Sequence, residues 1–304
     1  MKDLLSYYYY LLPDKIHKYN NDYYFEFRNH SFCFYLYNGK VEDINYIYNL
    51  NNYMIYNNYK INRIITNSQS NILTKKDNKY YILIELIINN KNNISLDNII
   101  EFNQYKISIN LLNRTNWYLL WSRKIDNIEY TINHIKNKYR LLYSSIFYYI
   151  GLTENAISYI KYFNLNNNNN NISICHKRIN INNSIRDFYN PINLVIDYKV
   201  RDIAEYYKSL FFNKNIDIKN IINSFTNIKM SNVDYIYFYI RMLYPSYYFD
   251  LFDNIINNKC KENDILNITR LQEDYEYLLY EIYNVIKIHV NIVGIEWINK
   301  KFAN

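Results

Sequence analysis

The spacing of apolar and polar positions changes period along the chain, and each change marks an element. Residues 23–27 and 32–37 alternate as half-buried strands do, and the polar stretch Arg28, Asn29, His30 and Ser31 between them reads as a hairpin turn. Asn38 and Gly39 make the next turn. Val41, Ile44, Ile47, Tyr48 and Leu50 then recur at helical spacing. Residues 61–66, 70–74 and 79–88 read as three further strands, with Lys75, Lys76, Asp77 and Lys79 in a solvated hairpin turn. Five strands and one helix therefore occupy residues 1–90.

Beyond residue 90 the period becomes helical. Ser95 is placed as an N-cap for the segment to Phe102. Residues 117–139 form a long amphipathic pattern in which Trp117 and Trp121 share a face turned to the core. Residues 141–163 continue as a second helix, where Gly151 permits a close crossing or a kink, and 166–171 is a low-complexity asparagine loop. Residues 172–207 break the pattern with strand, loop, strand and helix. Ile172, Ile174 and Cys175 make one apolar run, and residues 192–196 make another, bounded by Pro191 and Asp197. From Val200, the positions Ile203, Ala204, Tyr207, Leu210 and Phe211 follow on one helical face. Three helical stretches close the chain: Ile218 to Ile228, residues 233–257 broken at Pro245, and a last helix opened by a capping box of Thr269 and Gln272. The chain is thus α+β, with a β-rich N-terminal lobe over 1–90 and a mostly helical C-terminal lobe over 91–304.

The segment 172–207 carries the candidate chemistry. Phosphotransfer sites of kinase-like folds use a loop H-x-D-x-x-x-x-N, in which the aspartate orients the acceptor hydroxyl and the asparagine holds a metal. A following strand end presents a second metal-binding aspartate. Here Asn183 follows His176 by seven positions, and Asp197 ends an apolar strand fourteen further on. The acceptor-orienting position, two after the histidine, holds Arg178. An arginine stays protonated and cannot serve as general base. Asp187 is the nearest acid, set in a turn.

These residues, with WYLLWSRKIDNIE from Trp117, FYYIGLTENAISYI from Phe147, NPINLVIDYKVRDIAEYYKS from Asn190 and RMLYPSYYF from Arg241, resemble the aminoglycoside-phosphotransferase-like, protein-kinase-like superfamily. Within it the chain is similar to the spore-coat-associated kinase-like proteins of the CotS/YutH group. The resemblance covers most of the chain beyond residue 115 and is loose over the first hundred residues. It implies a two-lobed fold, a small β-rich N-lobe and a larger helical C-lobe. It implies ATP with Mg²⁺ as cofactors, Asn183 and Asp197 as metal ligands, and His176, Arg178 and Asn183 as the catalytic-loop positions, His176 supporting the loop backbone. Asp202 is implied to anchor that loop, and Glu85 and Leu86 to stand where an adenine meets main chain.

The N-terminal lobe departs from that pattern. Its strand FCFYLY has Tyr35 and Tyr37 where a phosphate-gripping lysine would stand. Glu42 lies in a first helical turn, where an acid also favours the helix dipole. Gly39 is the only glycine before Gly151, so a glycine-rich loop is missing. The expectation is a degenerate kinase-like protein associated with the spore coat and still able to hold a nucleotide. The alternatives are an active small-molecule phosphotransferase and a partner-binding module without nucleotide.

Composition bounds this picture. With 49% of its 304 residues apolar, the chain can bury two cores. The 39 tyrosines and abundant Asn, Ile and Lys share A/T-rich codons, so tyrosine often stands in an apolar position with its hydroxyl at the core edge. The net charge of +7 is spread among interleaved acids, which argues against a nucleic-acid partner. Cys33, Cys175 and Cys260 have no zinc spacing and read as reduced thiols. The N-terminus is a poor signal peptide, and the longest uncharged run, 141–153, is too short for a bilayer. A cytoplasmic protein with no membrane partner is expected, with nucleotide and spore coat proteins as its partners.

Overall fold

The computed structural model describes residues 1–105, 107, 112–165, 171–214 and 217–303. It divides into two compact units. The first comprises Met1–Asn113, Ile174–Arg178 and Asn182–Ile196, and the second Arg114–Ser173, Ile179–Ile181 and Asp197–Asn304.

The first unit is built on an antiparallel sheet. Helix α1 (Lys2–Tyr9) precedes β1 (Ile16–Tyr19), β2 (Asp22–Phe27) and β3 (His30–Tyr37), which meander; α2 (Ile44–Tyr56), β4 (Arg63–Ile65), β5 (Thr74–Lys76), β6 (Lys79–Glu85) and α3 (Leu96–Phe102) follow. The sheet order is β1-β2-β3-β6-β4, and β5 also pairs with β6. Two-residue turns set the register at Arg28–Asn29 and Asp77–Asn78, where both φ angles are positive (49° and 64°, 48° and 59°). That is the twist-matched hairpin geometry glycine usually supplies, and Asn and Asp tolerate it best after glycine.

Strand alternation sorts β3 onto two faces. Phe32 and Phe34 join Phe25, Tyr81 and Leu83 under Leu5 and Tyr9 of α1. Cys33, Tyr35 and Tyr37 point the other way, onto Ile44 and Ile47 of α2 and against Leu86 and Ile192. Asn62 ties this sheet to the segment after Asn183. Its side chain donates to the Arg186 carbonyl (3.2 Å) and accepts from the Ile88 N–H (2.8 Å), and its own N–H donates to the Tyr189 carbonyl (3.1 Å).

The second unit is helical: α4 (Trp117–Ile135), α5 (Arg140–Tyr162), α7 (Val200–Lys214), α8 (Ile218–Thr226), α9 (Asn232–Leu243), α10 (Ser246–Ile256), α11 (Leu266–Thr269), α12 (Gln272–Ile286) and α13 (Glu296–Phe302). Between α5 and α7 run β7 (Ile172–His176), the short helix α6 (Ile185–Phe188) and β8 (Leu194–Tyr198), and β7 pairs with β8. Helix α9 is buried on every side from Asp234 to Leu243, as the central helix of a bundle must be. Tyrosines fill much of the core and spend their hydroxyls on main-chain carbonyls: Tyr275 on Met242 (2.7 Å) and Tyr237 on Leu165 (2.5 Å).

Several expectations need correction. Gly151 lies in a continuous α5, and a Cβ there would meet nothing within 4 Å, so it does not serve a close crossing. Thr269 ends α11, and α12 begins after Leu271 without a side-chain cap. The strand expected over 70–74 reduces to Thr74 at the start of β5, because Ser70 turns the chain at φ 61°. Helix α1, strand β1 and helix α13 were not foreseen. The loop expected at 166–171 lies outside the described residues except for Asn171. Among the described residues, no helix is long and apolar enough to cross a membrane.

Candidate functional site

His176 ends β7 and is almost fully buried. Its ring stacks on Phe188 (4.1 Å between centroids) and packs against Phe102 (4.7 Å), with Nε2 2.9 Å from the Phe188 carbonyl. The ring therefore fixes the turn that follows Asn183. That turn is α6, capped by Ser184 and closed by the bond from Ser184 Oγ to Asp187 Oδ2 (2.6 Å). The Asn183 carbonyl accepts the Ile94 N–H (3.1 Å), and the Ile185 and Arg186 N–H groups donate to Asn92 and Asn90 (2.8 Å each). Arg178 is exposed, and its Nη1 donates to the Lys177 carbonyl (2.7 Å).

Glu85 faces His30 Nδ1 (2.6 Å) and, at 3.8 Å, Arg63. The Leu86 N–H, a candidate to meet an adenine, donates to the Ser31 carbonyl (2.7 Å). The Leu86 side chain lines a pocket of about 750 Å³ within the first unit, together with Tyr24, Phe25, Phe32, Lys15, His17, Lys91 and Arg186, and with the acids Asp14 and Glu26. A volume of this size, aromatic with a few converging charges, is usual for small-molecule sites. Arg186 stands over the Tyr24 ring at 4.5 Å. Behind Tyr24, burial pushes the Tyr35 phenol and the Cys33 thiol far up, so both stay neutral. Tyr35 is thus a neutral, buried member of the sheet, and Arg186 brings a cation to the pocket from another segment. Sequence reading passed over Arg186, which belongs to no motif.

Asp197 belongs to the second unit and is fully buried at the end of β8. Its Oδ1 accepts from the Trp117 indole Nε1 (2.8 Å) and from the Tyr198 N–H (2.8 Å), and its Oδ2 takes an ion pair from Arg201 Nη1, in the first turn of α7. Burial pushes the Asp197 carboxyl above the usual carboxylate range, while the Arg201 and Arg241 guanidiniums pull it back. Arg241 also lies over the rings of Trp117 (5.5 Å) and Tyr244 (5.2 Å) and bonds Glu205 Oε1 (2.8 Å). Lys208 completes the cluster, bonding Glu205 (3.0 Å) and the Tyr244 carbonyl (2.8 Å). A divalent ion needs carboxylate oxygens facing it. Both Asp197 oxygens already hold donors, one of them cationic, so this carboxylate does not fit a metal as it stands. Among the described residues no group of three or more His, Cys, Asp or Glu side chains is placed to hold a metal ion.

The order of sheet and helices, and the strand–loop–strand–helix run at 172–207, define a kinase-like phosphotransferase fold. An aminoglycoside phosphotransferase from Alicyclobacillus acidocaldarius shares it at a TM-score of 0.62 and 10% identity, over 95% of this chain and 96% of that one. Spectinomycin phosphotransferase APH(9)-Ia, in complex with ADP and spectinomycin, does so at 0.54 and 11%, over 93% and 97%. Choline kinase LicA from Streptococcus pneumoniae gives 0.54 and 10%, over the same shares. The family described as "Spore coat putative kinase YutH" matches residues 2–282, and the chain belongs to that family. The endospore coat-associated protein YutH of Bacillus subtilis (strain 168) is 24% identical over 214 residues, 60% of this chain and 61% of the relative. The match thus spans about three fifths of that curated relative.

Proposed function

We propose that this chain is a degenerate kinase-like protein of the spore coat that holds a nucleotide without ordinary phosphate transfer, a pseudokinase in working terms. The observation that carries the reading is Arg178: it stands two positions after His176, where kinase-like sites place the aspartate that orients the acceptor hydroxyl. Losing a positioned proton acceptor costs about 10²–10⁴ in rate. Tyr35 and Tyr37, where a phosphate-gripping lysine would stand in such folds, lower it further. The association with the coat rests on family membership and on the name of the Bacillus subtilis relative, and it implies other coat proteins as partners and a cytoplasmic site of synthesis.

For the nucleotide, we take the pocket of the first unit as its site, with ATP as the candidate. Tyr24, Phe25, Phe32 and Leu86 offer apolar surface to a base, and Arg186, Lys15 and Lys91 offer cations to phosphates. Calorimetric titration of the full chain with ATP and ADP tests this. Heat of binding is expected, and Arg186→Ala should weaken it by about tenfold or more, as loss of a charge-assisted hydrogen bond does. No heat with either nucleotide would overturn the nucleotide reading and leave a partner-binding scaffold. Steady transfer of the γ-phosphate to a hydroxyl would overturn the degenerate one.

A further inference from the structure

The carboxylate that kinase-like enzymes use for a metal is here committed to an internal cation. Asp197 is fully buried, and Arg201 is nearly so, with 4% of its side chain exposed. The two are four residues apart, at the end of β8 and in the first turn of α7, so backbone geometry holds the guanidinium on Oδ2 while Trp117 and Tyr198 hold Oδ1. For a divalent ion to enter, Arg201 would have to give up its bonded carboxylate while staying buried, with only the more weakly coupled Glu205 and Asp202 as counter-charges. Such a loss of pairing weakens entry by on the order of 10²–10³-fold.

We propose that Arg201 supplies, as a fixed guanidinium, the positive charge that a divalent ion brings to this strand-end aspartate in kinase-like phosphotransferases, so that the chain takes its nucleotide free of metal. The nucleotide half rests on the reading given above; the metal half does not. Three things support it: the pair is buried, each carboxylate oxygen is already bonded, and the guanidinium comes from the element that the strand feeds directly.

Trp117 makes the test local, since its indole N–H bonds Asp197 and any ion on that carboxylate lies within a few ångströms of it. The chain has three tryptophans, so three indole signals are expected in a ¹⁵N-correlated spectrum, and Trp117→Phe assigns the relevant one. The full chain is titrated with Mn²⁺, a paramagnetic ion, alone and then with ADP. The natural protein should keep its Trp117 signal at millimolar Mn²⁺ in both cases. Arg201→Met, and Arg201→Gln if the first does not fold, should lose it together with the signal of Trp121, whose ring stacks on Trp117 at 5.0 Å, because Asp197 is then released to the ion. Loss of the signal in the natural protein would overturn the proposal. So would a signal that persists in the neutral variants, since Arg201 would then be a structural ion pair and no substitute for metal. Absence of ADP binding would count against the nucleotide reading alone, because the Mn²⁺ response is read without it.

Discussion

At Asp197 a single carboxylate decides what the strand end can do. Its partners Trp117 and Arg201 were in view in the sequence, but as a core aromatic and as an unremarked helix residue. Nothing in the linear pattern says that an indole 80 positions away reaches this oxygen, or that an arginine one turn ahead turns back onto it. His176, Arg178 and Asn183 stand out in the sequence because their spacing is local. Arg186 does not, because its role comes from the pocket around it. Two predictions belong to this scale. Trp117→Phe removes the indole donor on Asp197 Oδ1 and should cost about 1–3 kcal/mol in urea unfolding. Lys208 concerns pH: burial lowers its ammonium to about 7, against the partial opposition of Glu205. The unfolded chain, with an ordinary lysine, then binds more protons than the native one above pH 7, so stability should rise with pH from about 7 towards 9, by at most about 1.4 kcal/mol per unit. Lys208→Met should flatten that rise in denaturation curves taken at pH 7, 8 and 9. Equal slopes would show that the Glu205 pairing keeps the ammonium charged throughout.

At the scale of elements, long amphipathic segments were readable and short or solvated ones were not. Helices α4, α5, α7 and α8 follow their apolar stripes, and Pro245 separates α9 from α10 as expected. Strand β1 escaped notice because three of its four residues face solvent, leaving Ile16 alone to carry a pattern. Helix α1 ends in a run of tyrosines, and its buried members, Leu5 and Tyr9, show only once the sheet lies beneath them. Gly151, expected to permit a close crossing or a kink, lies in a continuous helix with open space where its Cβ would be. Gly151→Ala should therefore raise stability by about 0.5–1 kcal/mol, the ordinary gain in a helix interior, visible as a small rise in Tm. A fall would reveal a neighbour at that face. Asn62 gives the opposite case. Asn62→Ala leaves the Ile88 N–H and the Arg186 carbonyl without their partner, and should cost about 2 kcal/mol.

At the scale of the whole molecule, the α+β class was readable from the order of the patterns and the kinase-like fold from the resemblance of particular segments, even though the sequence has no glycine-rich loop, no lysine in FCFYLY and has Arg178 two positions after His176. The fold survives these losses because it depends on alternation and stripes, which tyrosine sustains as well as leucine or phenylalanine, whereas transfer chemistry depends on single charges at fixed places. In the proposed function Arg178 stands where a base would be, and Arg201 is bonded to the carboxylate where a metal would be. The most direct measurement is the affinity of the full chain for ATP by calorimetry, once in excess Mg²⁺ and once in EDTA. The account predicts binding in both, with affinities within about threefold, a difference under 1 kcal/mol. Binding that appears only with Mg²⁺ and vanishes in Asp197→Ala would contradict it and return the chain to the metal-dependent phosphotransferases.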